Sequence, residues 1–309
     1  MVMLKQKTVL LAKVETTYGT DSSPGASDGI EITDASIKEA ITAVERKVLT
    51  QTLSNQQSVG GQRFSEVTFK VELKGSGTAG TAPRIGPLFR ACAFAQTIVS
   101  STSVTYKPTS SSIESCTLYF QIDGRQHIIT GARGTVKIIH DAGQYAVLEF
   151  SFKGIHNTPT NTALTTPTFE STLPPICKSA SFTYNSRTTL VVKMAEIDMQ
   201  NVIVMRPSLN ATFAVAGFEV TGRNPIMTVD PEAQIETSYD FRGDQLTTQR
   251  QVSYVAGATA GNICTITVPK YNITDIEYGD REGILIETLK GECNKSAAAG
   301  DDEVQIVFT

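Results

Sequence analysis

The chain has 309 residues, enough for one large domain or two ordinary ones, with 40% hydrophobic residues, only 19% charged residues and no tryptophan. Its formal net charge of −4 gives no general basic footprint of the kind that duplex DNA binding needs. Abundant Thr and Ser and many alternating apolar positions disfavour a helical bundle and predict a mainly β fold with short helices.

In chain order, the apolar run Val9-Leu10-Leu11-Ala12 is broken by Lys13 and Glu15, too soon for a signal-peptide core or a membrane span. Residues 64–73 alternate, with Val67, Phe69, Val71 and Leu73 on one face of a strand. A hinge follows, then a helix over residues 84–95 whose Ile85, Leu88, Phe89, Cys92 and Ala93 share one face, as expected of a helix packed on a sheet. Strands are predicted at 116–122, 135–140 and 146–155, with turns at Asp123-Gly124 and Asp141-Ala142-Gly143. Residues 159–175, rich in Thr and Pro, read as a linker. Beyond it come a strand at 211–220 and Asp230-Pro231 as N-cap and first position of a helix running toward Gln249. Strands at 263–268 and 284–289 flank a turn at 279–283, and Val304, Ile306 and Phe308 mark a last strand. The two helix starts, Arg84 and Pro231, lie 231 − 84 = 147 residues apart, so the chain reads as a duplicated domain with units at 1–174 and 175–309.

The hinge Gly75-Ser76-Gly77-Thr78-Ala79-Gly80 matches the dinucleotide-binding fingerprint and sits between strand and helix. Pro83 places the helix start beyond the last glycine, so the helix N-terminus would not meet a pyrophosphate. The acid expected about twenty residues on is also missing, since no Asp or Glu lies between Glu72 and Glu114. The hinge therefore reads as flexible linker chemistry. The five cysteines, Cys92, Cys116, Cys177, Cys264 and Cys293, are scattered, odd in number and lack metal spacing, which points to free thiols made in a reducing cytoplasm. His127, His140 and His156 read as surface or interface residues, and Arg125, Arg133 and Lys137, flanked by Asp123 and Asp141, as a balanced solvated or intersubunit face. No nucleophile elbow, Walker loop or His-Glu-x-x-His motif is present. No catalytic, cofactor-binding or metal-ligating residues are assigned, and no enzyme is expected.

Five blocks occur in order between residues 10 and 160: Glu15-Thr16-Thr17-Tyr18-Gly19-Thr20; Glu72-Leu73-Lys74-Gly75-Ser76-Gly77-Thr78-Ala79; Ala82-Pro83 with Gly86-Pro87-Leu88-Phe89-Arg90-Ala91-Cys92; Thr105-Tyr106-Lys107-Pro108; and Asp123-Gly124 through Thr130-Gly131-Ala132-Arg133-Gly134. Together they resemble the tail tube (major tail) proteins of long-tailed, non-contractile phages and related prophages. After residue 175 the resemblance rests on residues 275–283 and the half-repeat. It implies a β-sandwich or half-barrel flanked by a helix, with no catalytic residues, assembled into stacked rings whose lumen conducts DNA as a passenger. It also implies tail tip, tape measure and tail terminator proteins as partners, no membrane, and a place in the virion tail after assembly in the host cytoplasm. Two units per chain favour a trimeric, pseudo-hexameric ring over a hexameric one. Residues 45–62, uncharged past Lys47, read as either a surface loop or an arm docking on the next ring. The expected interface residues are Val48, Leu49, Leu53, Gln56 and Val59 on that arm, and Arg281. A β-sandwich adhesion component of a phage tail is the alternative.

Overall fold

A computed structural model describes residues 2–309. Strands hold 51% of the residues and helix 4%, so the fold is mainly β with two short helices. The first half contains β1 (Thr8–Val14), β2 (Gly29–Ile30), β3 (Thr33–Val44), β4 (Val59–Glu72), α1 (Gly86–Ala91), β5 (Phe94–Val99), β6 (Ser103–Pro108), β7 (Cys116–Ile122), β8 (Arg125–Asp141), β9 (Val147–His156) and β10 (Thr160–Asn161). The second contains β11 (Thr183–Tyr184), β12 (Val192–Asp198), β13 (Val202–Pro207), β14 (Val215–Gly222), β15 (Ile226–Pro231), α2 (Phe241–Asp244), β16 (Arg250–Ala256), β17 (Cys264–Arg281), β18 (Ile284–Asn294) and β19 (Gln305–Phe308).

The centre is an open antiparallel sheet in the order β3-β4-β9-β8-β12-β15-β18-β17. Two four-stranded blocks meet where residues 137–141 of β8 pair with residues 194–198 of β12. The blocks share one order of connections. In the first, the leading half of β8 pairs with β7 and β10, and β7 with β1. In the second, the leading half of β17 pairs with β16 and β19, and β16 with β11. The hairpin β5–β6 has no counterpart after α2, and it stitches the halves a second time through β6 and β19.

Alternation makes one face of the sheet apolar. Val67, Phe69 and Val71 stand opposite Phe152, Phe150 and Leu148, and Phe69, Phe150 and Phe152 pack with centroids 5.7–5.8 Å apart. Phe89 of α1 fills the space above them, 5.1 Å from Tyr106 and 6.0 Å from Phe150. Burying such a ring contributes about 2–3 kcal/mol. One continuous core joins residues of both halves, and all five cysteines are buried there as free thiols.

Several elements depart from the sequence reading: the strand at 263–268 continues as β17 through most of the turn predicted at 279–283, and the strand predicted from residue 211 begins at Val215. The helix predicted to residue 95 ends at Ala91, because Ala93 turns to φ +61° and the chain enters β5 directly. The strand predicted over 135–140 is the end of the 17-residue β8, which a bulge between Thr130 and Arg133 bends from one set of neighbours to another. The helix predicted from Pro231 is absent. Asp230-Pro231 closes β15, and the Asp230 carboxylate accepts from the N–H groups of Lys193 and Met194 at 3.0 and 2.6 Å, capping a strand junction. Helix forms only over the four residues of α2, N-capped by Asp240 through the Gly243 N–H.

The Thr/Pro-rich segment is a strap fixed along the first half. Thr162 N–H donates to Gly124 C=O, Thr168 N–H to Ala26 C=O, and Cys177 N–H to Gln144 C=O. The glycine hinge is equally fixed. Gly75 N–H donates to Asn262 Oδ1 at 2.8 Å and Gly77 N–H to Gly261 C=O at 3.0 Å. A Cβ on Gly75 would lie 2.2 Å from the Gly261 carbonyl oxygen. These glycines let two backbones touch across the halves, and both N–H groups already have partners.

Candidate assembly surfaces

The face of the central sheet opposite the core is polar and carries both signs of charge. Lys38 and Lys153 flank Glu66 at 3.9 and 3.6 Å, Lys70 lies 3.3 Å from Asp34 and 3.1 Å from Glu149, and Lys137 lies 2.8 Å from Glu196. These residues occupy alternate positions on successive strands, so they form a ladder of cross-strand pairs. Glu149 raises the pKa of Lys70, and Glu196 that of Lys137. Being exposed, the pairs add little stability. They give a hydrated face without a continuous basic track, and Thr228, Thr288, Lys290 and Glu292 continue it across the second block.

Both edges of this sheet lack a partner strand among the described residues: β3 pairs only with β4, and residues 275–281 of β17 pair only with β18. Unpaired N–H and C=O rows are templates for another chain. Eight alternating strands also leave the outermost two antiparallel to each other.

From the β3 edge the hairpin continues outward. Val44 pairs with Val59 at its base, so Val59 belongs to a strand, and residues 45–58 form the tip. Leu49 and Leu53 are fully exposed, at 102% and 107%. Val48 is exposed and Gln56 half-buried. Arg281 lies elsewhere, at the far end of β17, where Nη2 donates to the Asp230 carboxylate at 2.6 Å and to its carbonyl at 2.7 Å. The five arm positions are thus together, while Arg281 is bound within its own chain.

The Glu15 to Thr20 block builds a clasp whose role sequence reasoning left unassigned. Buried Glu15 accepts from Gly19 N–H (2.8 Å), Gly131 N–H (2.7 Å), Ser115 Oγ (2.6 Å) and Thr117 Oγ1 (2.9 Å). Tyr18 Oη accepts from Phe218 N–H at 2.6 Å and lies over Gly131, whose φ of +59° and lack of Cβ admit the ring. Arg133 stacks on Tyr18 at 4.8 Å, pairs with Glu219, and donates to the carbonyls of Phe218 and Ile113 at 3.0 and 2.7 Å. The hairpin β13–β14 of the second half is held on the first by these contacts. Arg133 and Lys137 therefore have separate partners, and Asp123 pairs with Lys7 at 3.4 Å.

The histidines stand apart. His127 Nδ1 is 3.1 Å from Glu39, and His156 Nδ1 is 3.2 Å from Ser65 Oγ in a buried site. His140 is also core rather than surface, 6% exposed, edge-on to Tyr254 at 4.8 Å, and burial lowers its pKa to about 4. Among the described residues no three His, Cys, Asp or Glu side chains are grouped to hold a metal ion. No helix there is long and apolar enough to cross a membrane.

A family model described as phage tail tube protein matches residues 5–307. No curated protein matches the chain significantly. The chain belongs to the phage tail tube proteins, structural components of virion tails.

Proposed function

We propose that this tail tube protein polymerises into stacked rings in which the eight-stranded sheets of neighbouring copies join edge to edge, making a channel that DNA traverses without being held. The observation that carries this reading is the open sheet with two unpaired edges of opposite direction, apolar toward the core and mixed in charge on its other face. An edge-to-edge neighbour continues the antiparallel alternation and hides both aggregation-prone edges. Carboxylates interleaved with lysines would not accumulate phosphate contacts that stall a passing duplex.

Units 1–174 and 175–309 act as two copies of one tube domain, a reading supported by their shared order of connections. Three chains of 33.3 kDa then supply six four-stranded blocks, favouring a trimeric, pseudo-hexameric ring. The arm at 45–58, with Val48, Leu49, Leu53 and Gln56 and with Val59 at its base, contacts the adjacent ring, and Arg281 supports the edge strand that meets the next chain. Tail tip, tape measure and terminator proteins would meet the tube at its ends and in its lumen, and assembly would take place in the host cytoplasm, giving a tail of the long, non-contractile kind.

Electron microscopy of concentrated purified protein tests the reading. Tubes with three chains per ring are expected. A protein that remains a discrete oligomer under all conditions would instead favour an adhesion component.

A further inference from the structure

A pocket of about 70 Å³ opens at the seam between the blocks, lined by His140 and Asp141 of β8, Met194 and Ala195 of β12, Tyr254 of β16, and Cys177 of the strap, among others. That space exceeds what one water needs, and the rim residues Ala142 and Lys193 are exposed. Its lining is mostly apolar, yet both ring nitrogens of His140, Tyr254 Oη and Asp141 Oδ1 have no hydrogen-bond partner. Buried polar atoms are ordinarily satisfied. Those atoms are sealed behind the apolar lining, so the open space fits a short apolar side chain.

Such a segment exists in the same chain but at the other end of the sheet. The arm leaves beyond the Val44–Val59 pair, whereas the pocket lies beside Asp141–Met194, and the ladder runs from one to the other through Phe64–Ile155, Glu72–Val147 and Ile139–Val147. The 14-residue β4 separates the two ends by about 45 Å. Half of residues 45–58, extended, spans about 20 Å, so an arm cannot reach its own pocket. It can reach the pocket of a copy stacked along the strand direction.

We infer that the seam pocket receives Leu53 from the arm of a second copy in the adjacent ring, an inference that rests on the tube reading above. Leu53, at 107% exposure, is the most exposed large apolar residue of the arm, and its branched side chain suits the pocket's mostly apolar lining. Arm and pocket at opposite ends make a head-to-tail contact that repeats without limit.

Cysteine cross-linking tests this, with Cys177 as the native partner in the pocket. Assembled Leu53→Cys protein, oxidised with copper phenanthroline, should give a ladder of disulfide-linked chains that disappears when Cys177→Ser is added. Ser54→Cys, which keeps the leucine, should give the same ladder if Leu53→Cys fails to assemble. Tubes of either variant without a Cys177-dependent ladder would overturn the pocket assignment and leave the tube reading standing. Unaltered protein that forms no tubes at all would overturn both.

Discussion

The connection from β3 to β4 and the connection from β12 to β15 hold the same position in the two blocks, and they behave differently. The first is an arm whose few apolar residues are exposed, Leu49 and Leu53 fully so. The second grows into the hairpin β13–β14 and lies on the first half, with Phe218 5.6 Å from Phe64 and Phe213 5.2 Å from His156 and 5.4 Å from Arg63. Aromatic rings and a basic partner give the hairpin enough buried surface to dock within the chain. The arm has neither, and its entropy is lost only when another molecule supplies the surface. One topological position thus provides an internal clasp in one block and, in the proposed tube, an external contact in the other.

The clasp should carry stability and the arm none. Glu15→Ala leaves the buried Gly131 N–H and the half-buried Gly19 N–H without an acceptor and should lower unfolding free energy by about 3 kcal/mol in urea titration. A similar size is expected for the acid response at the seam beside the hairpin. Folding holds His140 neutral, with its pKa lowered from 6.5 to about 4, so the unfolded chain binds more protons between those values. Stability is complete above about pH 6.5 and falls as the pH drops through this window. His140→Leu should flatten that slope, to be read from melting temperatures between pH 7 and 4. Arg133→Met should cost about 2 kcal/mol by removing charge-assisted bonds to two carbonyls. Tyr18→Phe, which removes the acceptor for Phe218 N–H and the hydroxyl donor to the Gly131 and Phe218 carbonyls, should cost about 1 kcal/mol by the same assay. Deleting residues 50–56 should change stability by less than about 0.5 kcal/mol while abolishing ring stacking in micrographs. Unfolding of that deletion at normal temperature would show that the arm, like the hairpin, belongs to the core.

Alternation revealed the strands whose two faces meet different environments, such as β4 and β9, and the lack of alternation revealed the arm. Reading stopped where one residue type serves two roles. Gly131 and Gly134 fall inside β8, where Gly131 admits the bulge and the Tyr18 ring and Gly134 leaves room for Phe152. Asp230-Pro231 looks like the start of a helix because a carboxylate that accepts two consecutive N–H groups has the same local sequence at a strand junction. The seam pocket was invisible for another reason. Its walls come from β8, β12, β16 and the strap, which no local window contains, and His140 seemed a surface residue until four segments closed over it. The family resemblance singled out the Glu15 to Thr20 block and left its clasp without a role.

Pairing of β8 with β12 places one strand junction inside every chain. Such a junction forms at a rate independent of protein concentration, whereas a junction between chains must await an encounter. In the proposed ring of six blocks, half of the six junctions would already be made when the chains meet. In the proposed trimeric ring a three-body closure would replace a six-body one, so the dependence of ring nucleation on subunit concentration would fall to a lower order, and rings would start at lower concentrations.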